Sequence, residues 1–100
     1  MSLYLKIHKN NQGKIVAACD SDIIGRVLED ENTHMDLDKY RGFYVGERVK
    51  EEQLRSELLT FTSVNLVGKK AVEVAVAMKL VNKKDVMYIN NIPYIQIYKI

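Results

Sequence analysis

The sequence predicts an α+β fold of two layers, in which helices pack on one face of a mainly antiparallel sheet. Three observations support this class: alternating hydrophobic residues near the N-terminus, a second alternating segment near the C-terminus, and helical hydrophobic spacing between them. Hairpins at both ends favour antiparallel pairing, because the two strands of a hairpin run in opposite directions. The predicted order of elements is β-β-α-β-α-α-β-β.

The first predicted element is a β-hairpin. Leu3, Leu5 and Ile7 alternate with polar or aromatic residues, which is the period of a half-buried strand. Residues 10–13, Asn-Asn-Gln-Gly, tolerate positive φ angles and predict a tight turn. Residues 14–18 then return as the second strand.

The next segment predicts a helix, a short strand and a loop. Asp20 is positioned to cap a helix whose apolar face carries Ile23, Ile24, Val27 and Leu28. Gly25 interrupts that helix, and we expect another group to pack closely against its backbone. Residues 33–37 predict a short strand, and residues 39–46 predict a loop with three aromatic side chains.

The second half of the chain predicts two helices and a hairpin. Leu54, Leu58 and Phe61 have the spacing of an amphipathic helix over residues 47–61. Asn65 is predicted to cap the next helix, over residues 65–81. Residues 86–89 and 94–98 then form the hairpin, with Pro93 in the turn or at the first strand position, where no N–H is needed.

Composition bounds the class of protein. We expect the 100 residues to form one globular domain, because 28% are charged and 47% hydrophobic. The apolar-rich stretch 71–81 contains Glu73 and Lys79 and is shorter than the ~20 residues of a membrane span, so no membrane association is predicted. No signal peptide is visible, and a single Cys19 fits a reducing environment. These features predict a cytoplasmic protein.

Charge is distributed unevenly along the chain. Residues 1–19 carry a net charge of +3, residues 20–38 carry −6 and residues 39–100 carry +5. The total of +2 does not by itself indicate a nucleic-acid-binding protein. Separate basic and acidic surfaces are nevertheless expected, and such surfaces steer partners.

Four motifs together resemble a known family: Cys-Asp-Ser-Asp-Ile-Ile-Gly at residues 19–25, Asn-Leu-Val-Gly at 65–68, Ala-Val-Glu-Val-Ala at 71–75, and Ile-Pro-Tyr-Ile-Gln-Ile-Tyr at 92–98. In order and spacing they resemble the archaeal family known as domain of unknown function 424. The resemblance covers essentially the whole chain and implies an archaeal cytoplasmic protein without an assigned activity. It also implies an association with translation, because members tend to be encoded among genes for that machinery. Tyr94 stands where members of the family often carry a histidine.

The candidate site is a pattern that runs across the predicted strands. If the aliphatic residues of each strand face the helices, the residues between them share the other face of the sheet. That face then carries Tyr4, Lys6, His8, Tyr88, Tyr94, Gln96 and Tyr98. The predicted loop adds Lys39, Arg41 and Tyr44, and phosphates could be neutralised by Lys9, Lys14 and Lys99.

This face has three interpretations at the level of sequence. Aromatic side chains stack on bases of RNA with little sequence preference. Tyrosine is also enriched at protein interfaces, and it is common on strands that bind nothing. We therefore expect a non-enzymatic protein of the translation apparatus that contacts RNA, the ribosome or a protein partner through this face. The sequence leaves the oligomeric state open.

The alternative is a small enzyme or ligand-binding protein with a site at Cys19, His8 and the helix start near Gly25. A thiol at a helix N-terminus becomes more acidic, and a histidine beside it would act as a base. The adjacent Asp20 and Asp22 oppose a thiolate. No paired Cys or His spacing and no calcium-loop pattern occur, so no metal, cofactor or catalytic residue is predicted.

Overall fold

The computed structural model describes residues 2–99 and contains eight strands and three short helices. The strands are β1 (Leu3–Asn10), β2 (Gly13–Asp20), β3 (Val27–Glu29), β4 (His34–Asp36), β5 (Glu47–Val49), β6 (Ser63–Val67), β7 (Met87–Ile89) and β8 (Ile92–Tyr98). The helices are α1 (Arg41–Tyr44), α2 (Glu51–Glu57) and α3 (Lys69–Ala77), and a single 3-10 turn covers Lys83–Asp85.

Six strands form the main sheet, in the order β5-β1-β2-β6-β8-β7. Every neighbouring pair is antiparallel except β2 and β6, which are parallel and occupy the centre. The predicted α+β class with a mainly antiparallel sheet is confirmed. None of the helices within residues 2–99 is both long enough and apolar enough to cross a membrane.

The principal core lies between one face of the sheet and helices α2 and α3. Leu3 and Leu5 of β1 meet Val16 and Ala18 of β2 there, as the alternation of the first hairpin predicted. The helices contribute buried side chains at Leu54, Leu58, Ala71, Val72, Val74 and Ala75. Burial of this apolar surface is the main stabilising contribution to the fold.

A second, smaller core occupies part of the other sheet face. Residues 21–46, named here the cover segment, include the β3–β4 pair and helix α1. Ile23, Leu28, Leu37 and Tyr44 of this segment are buried against Ala17, Cys19, Val67 and Ile89 of the sheet. This end of the second face is therefore not open to solvent.

Four predicted elements differ from the structure, one of which is the loop predicted over residues 39–46, where Arg41–Tyr44 form helix α1. Residues 21–25 form turns and Val27–Glu29 is a strand, so the helix predicted after Asp20 is wrong. Gly25 has a φ of +90°, which breaks a helix, and its backbone lies against the Arg41 guanidinium. Asn65 lies within strand β6 and caps no helix, and α2 is shorter than predicted because residues 47–49 form edge strand β5.

The terminal hairpins agree with the sequence prediction. Strands β1 and β2 pair from Leu3 opposite Asp20 to Asn10 opposite Gly13. The second hairpin turns at Asn90 and Asn91, whose φ angles of 48° and 65° are those of a two-residue type I′ turn. Pro93 is the second residue of β8 and not in the turn or at the first strand position as predicted, because the turn consists of Asn90 and Asn91 alone.

Candidate nucleic-acid interface

The second face of the sheet carries three rows of side chains that cross β1, β2, β6 and β8. The pairing register defines these rows, because directly opposed residues project from the same face. The first row is Tyr4, Cys19, Val67 and Tyr94; the second is Lys6, Ala17, Asn65 and Gln96; the third is His8, Ile15, Ser63 and Tyr98. Six of the predicted site residues therefore share one face, with β1 and β8 about 14 Å apart.

The side chains of the first row are buried or half-buried. Cys19 is fully buried, and Tyr94 packs half-buried against the second core. Tyr4 is also half-buried, and the Arg48 guanidinium lies 5.7 Å from the centre of its ring. Both tyrosines of this row are therefore less accessible to a partner than Tyr98, which is 68% exposed.

The second and third rows are covered in part from the β1 side. The Lys6 ammonium donates a hydrogen bond to the Gly42 carbonyl at 2.8 Å. The His8 ring stacks on Phe43 with centroids 4.7 Å apart, and its Nε2 lies 2.9 Å from the Phe43 carbonyl oxygen. Both candidates on β1 therefore hold the cover segment onto the sheet.

The β8 side of the same rows stays accessible. Gln96 is exposed and lines a cavity of about 410 Å³ with Phe43, Tyr44 and Tyr40 of the cover segment. Tyr98, two residues further along the same strand, is 68% exposed. The usable part of the predicted face is therefore the end of β8 at which Tyr98 lies.

Two grooves flank the turn of the first hairpin at this end of the molecule. Tyr98 and Lys99 line one groove together with Asn10, Gln12, Ile15 and Thr62. Lys9, Lys14, Thr60 and Phe61 line the other, with Asn10, Gly13 and Thr62 shared between the two. Within residues 2–99, neither groove has an acidic lining residue. We call this region the hairpin end.

Thr62 fixes the shape of the hairpin end. Its N–H and its hydroxyl both donate to the Lys14 carbonyl at 2.8 Å, and its own carbonyl accepts the Lys99 N–H at 2.8 Å. Gly13 has a φ of +142°, and a Cβ at that position would collide with the Thr62 side chain. Thr62 has no local signal in the sequence, because only the parallel pairing of β2 with β6 brings it beside residues 13 and 14.

Two lysines of the hairpin end are available to an anionic ligand. The Lys14 ammonium is paired with the Glu57 carboxylate at 2.8 Å. Lys9 is exposed, and the Lys99 ammonium lies 4.3 Å above the centre of the Phe61 ring. Neither Lys9 nor Lys99 has an ion-pair partner among the described residues.

The candidates from the predicted loop lie elsewhere or inside. Arg41 is paired with Asp38 at 2.9 Å, and the Lys39 ammonium lies 5.5 Å from the Tyr40 ring centre. Tyr44 is only 8% exposed, and burial, followed by the neighbouring Cys19, raises its pKa to about 12. Its selection as an exposed contact residue is wrong, because helix α1 turns the ring into the second core.

Tyr88 lies on the opposite face from the other candidates. The register pairs Tyr88 with Pro93 and Met87 with Tyr94, so Tyr88 projects towards helix α3. The prediction that Tyr88 shares a face with Tyr94 and Tyr98 is therefore wrong. This register follows from the sequence once Asn90 and Asn91 are taken as a two-residue turn. Residues 89 and 92 then pair with each other, and Tyr88 pairs with Pro93 and not with Tyr94.

The structure separates the residues of the proposed Cys–His site. Cys19 pairs with Tyr4 and His8 pairs with Ile15, which places them about 14 Å apart along the strand direction. Burial, with smaller contributions from Asp20 and Asp22, raises the pKa of the Cys19 thiol to about 12. Cys19 also lies in a strand and not at a helix start, so the geometry gives no support to thiolate chemistry. No group of three or more potential metal ligands is found within residues 2–99.

Comparisons with known proteins place the chain in a family. A family model described as "Protein of unknown function (DUF424)" matches residues 7–100. The chain belongs to this family. That membership confirms the resemblance carried by the four sequence motifs, which fall at residues 19–25, 65–68, 71–75 and 92–98.

The fold also has a counterpart among solved structures. The chain is similar to an uncharacterized conserved protein from the archaeon Methanopyrus kandleri, with a TM-score of 0.80 and 20% sequence identity. The match covers 98% of this chain and 91% of that chain. At this identity the similarity shows the fold alone. No curated protein matches the chain significantly.

Proposed function

We propose that this chain is a non-enzymatic RNA-binding protein that holds a single strand at the hairpin end. The observation that supports this proposal is the exposed ring of Tyr98, in a groove whose other lining residues are polar, aliphatic or basic. Every base has a π-face, so an exposed aromatic ring binds single strands with little sequence preference. Following the family resemblance, we propose that the RNA is part of the archaeal translation machinery in the cytoplasm.

The cations of the hairpin end suit the phosphates beside a stacked base. Lys99 follows Tyr98 directly and lines the same groove, while contact with the Phe61 ring restricts its side chain. Lys9 lines the second groove, on the other side of the hairpin turn. A strand whose base stacks on Tyr98 would place its backbone near Lys99 and continue around the turn towards Lys9.

The cover segment restricts where an RNA strand would lie. Six of its charged residues between 20 and 38 are acidic: Asp22, Glu29, Asp30, Glu31, Asp36 and Asp38. These carboxylates repel phosphates, so a strand that crosses the whole sheet face is disfavoured. The proposed path therefore passes around the hairpin end and includes neither Lys39 nor Arg41, although both are basic.

The proposal is tested by fluorescence anisotropy with a labelled oligouridylate. We expect Tyr98→Ala to weaken binding by about 5- to 150-fold, which corresponds to the loss of one stacked base. The matched control is Tyr40→Ala, which removes a ring of similar exposure (57%) from the acidic cover segment and should leave affinity unchanged. Equal losses in both variants, or no binding by the unmodified protein, would overturn the proposal.

A second experiment examines the cellular partner. The tagged protein is recovered from an archaeal lysate with and without nuclease treatment, and the bound RNA is sequenced. Recovery of ribosomal RNA that is abolished by nuclease supports the proposal. Recovery of the same proteins in equal amount after nuclease treatment would identify a protein partner and contradict it.

A further inference from the structure

The two edges of the main sheet differ in their chemistry. Edge strand β5 carries the exposed, charged residues Glu47 and Arg48, which discourage pairing with another strand. Edge strand β7 instead exposes large apolar side chains, with Met87 42% exposed on one face and Tyr88 57% exposed on the other. Among the described residues, no strand pairs with the outer side of β7.

The backbone of Tyr88 points outward from this edge. In a two-residue hairpin the residues that flank the turn, here Ile89 and Ile92, exchange both hydrogen bonds. Hydrogen-bonded and non-hydrogen-bonded pairs alternate along an antiparallel ladder, so Tyr88 and Pro93 form a non-hydrogen-bonded pair. Pro93 agrees with this assignment because it has no N–H. The N–H and C=O of Tyr88 therefore face away from β8 and are free to pair with an added strand.

An apolar groove of about 600 Å³ lies beside β7, between this edge and helix α3. Its floor and walls are formed by Val72, Val76, Ala77, Val86, Tyr88 and Pro93. A strand added at Tyr88 would project every second side chain towards this groove, because side chains alternate between the two faces. The edge and the groove together therefore suit an extended segment with an apolar residue at its centre.

Charge at the groove indicates the chemistry of that segment. Lys69 and Lys83 line the groove, and neither has an ion-pair partner within residues 2–99. Glu73 is the one acidic residue described in the lining, so two lysines and one glutamate give the groove a net charge of +1. The net positive charge favours acidic residues on either side of the apolar centre.

We propose that the β7 edge binds an extended acidic segment of a partner protein, which adds to the sheet as a seventh strand next to Tyr88. The main-chain groups of Tyr88 supply the pairing, the groove takes an apolar side chain, and the lysines select for carboxylates. The groove beside Tyr88 and the ring of Tyr98 lie on opposite faces of the sheet, and the two grooves share no lining residue, so this surface is distinct from the proposed RNA site.

The probe is a labelled peptide of three valines with two aspartates on each side, and its counterpart carries lysines in place of the aspartates. We expect the acidic peptide to bind and the basic peptide to bind at least about tenfold more weakly, since like charges across an interface are disfavoured. Tyr88→Ala should weaken binding of the acidic peptide by about 30-fold, as for an aromatic anchor at an interface centre. The control Arg48→Ala, at the other edge of the sheet, should leave it unchanged.

Hydrogen exchange separates strand addition from other modes of binding. The Tyr88 amide should exchange more slowly in the peptide complex, because it becomes a donor to the added strand. Binding that leaves this amide unprotected would overturn the proposal, as would equal affinity for both peptides. A further outcome is a concentration-dependent dimer in which the Tyr88 amide is protected from exchange without peptide. That result would assign the edge to a second copy of the chain and would contradict the proposal.

Discussion

The Asp20 carboxylate, at the end of β2, accepts the backbone N–H of Ala71 in the first turn of α3 at 3.0 Å. Its second oxygen accepts the Lys70 N–H, also at 3.0 Å. Asp20 is only 5% exposed, so these bonds satisfy a buried carboxylate and two of the free N–H groups at a helix start. Asp20 was predicted to cap a helix directly after it. It instead caps α3, about 50 residues further along the chain.

Gly68 is required by this arrangement, and Gly68→Ala is expected to destabilise the protein. Its φ is 110°, and a Cβ would collide with the Asp20 carboxyl group. Backbone strain alone costs about 1–3 kcal/mol, and displacement of the cap adds to it. Gly42→Ala is the matched control, since nothing lies within 4 Å of its added Cβ. Denaturant unfolding should show a large loss for the first variant and none for the second.

Asp20 should also affect stability as a function of pH. Burial raises the pKa of Asp20 above its ordinary 3.8, the two backbone hydrogen bonds oppose this shift, and Asp22 adds to it. The folded state then holds the proton more tightly than the unfolded state, so this contribution is complete below pH 3.8 and is lost as pH rises through the folded-state pKa. We therefore compare the unfolding free energy of the unmodified protein with that of Asp20→Asn. The difference, unmodified minus variant, should decrease as pH rises above 3.8. An increase would contradict the assignment.

Cys19 and Tyr44 predict a loss of stability in alkali. Burial is the main reason that both pKa values rise to about 12, from 9.0 for the thiol and 10.0 for the phenol. Both groups favour the fold in their neutral form, and this contribution is lost as pH rises through about 12. The double variant Cys19→Ala with Tyr44→Phe should show a shallower fall in Tm above pH 9 than the unmodified protein. Parallel curves would show that neither group ionises on unfolding.

Salt dependence tests the role of the two unpaired lysines at the hairpin end. If Lys9 and Lys99 each contact a phosphate, the slope of log affinity against log salt should fall in magnitude by about 0.7 for each lysine replaced by glutamine. Lys69→Gln is the control, because Lys69 begins helix α3 after the end of β6 that pairs with Tyr94, about 14 Å along β8 from Tyr98. Anisotropy titrations at several salt concentrations measure the slope. An unchanged slope for Lys9→Gln with Lys99→Gln would remove both residues from the RNA site.

Local sequence patterns predicted the terminal hairpins because their signals and their pairing are both local. The alternation of Leu3, Leu5 and Ile7 and the turn residues at 10–13 lie within one supersecondary unit. Strand β6 was mistaken for a helix start because its Asn65 is typical of a cap. Its true environment, paired on both sides in the centre of the sheet, depends on two distant segments of the chain.

The sequence predicted which face of the sheet most of the candidate residues occupy, and it did not predict which of them are exposed. Alternation correctly placed Tyr4, Lys6 and His8 on one face with Tyr94, Gln96 and Tyr98. Alternation could not indicate that residues 21–46 fold back onto part of that face, because that segment was predicted as a helix, a short strand and a loop. Tertiary packing determines the burial of the cover segment, and the local spacing of hydrophobic residues does not report such long-range contacts.

The parallel pairing of β2 with β6 has a consequence for how the chain reaches its native state. Each terminal hairpin closes a short loop, whereas this central pair joins only after residues 21–62 have been brought together as one large loop. Closure of such a loop costs chain entropy before any contact compensates for it, and non-local pairing of this kind slows folding. We expect the two hairpins to form early and the central strands to associate in the rate-limiting step, so substitutions at Ala17 or Leu66 should slow refolding more than substitutions in either turn.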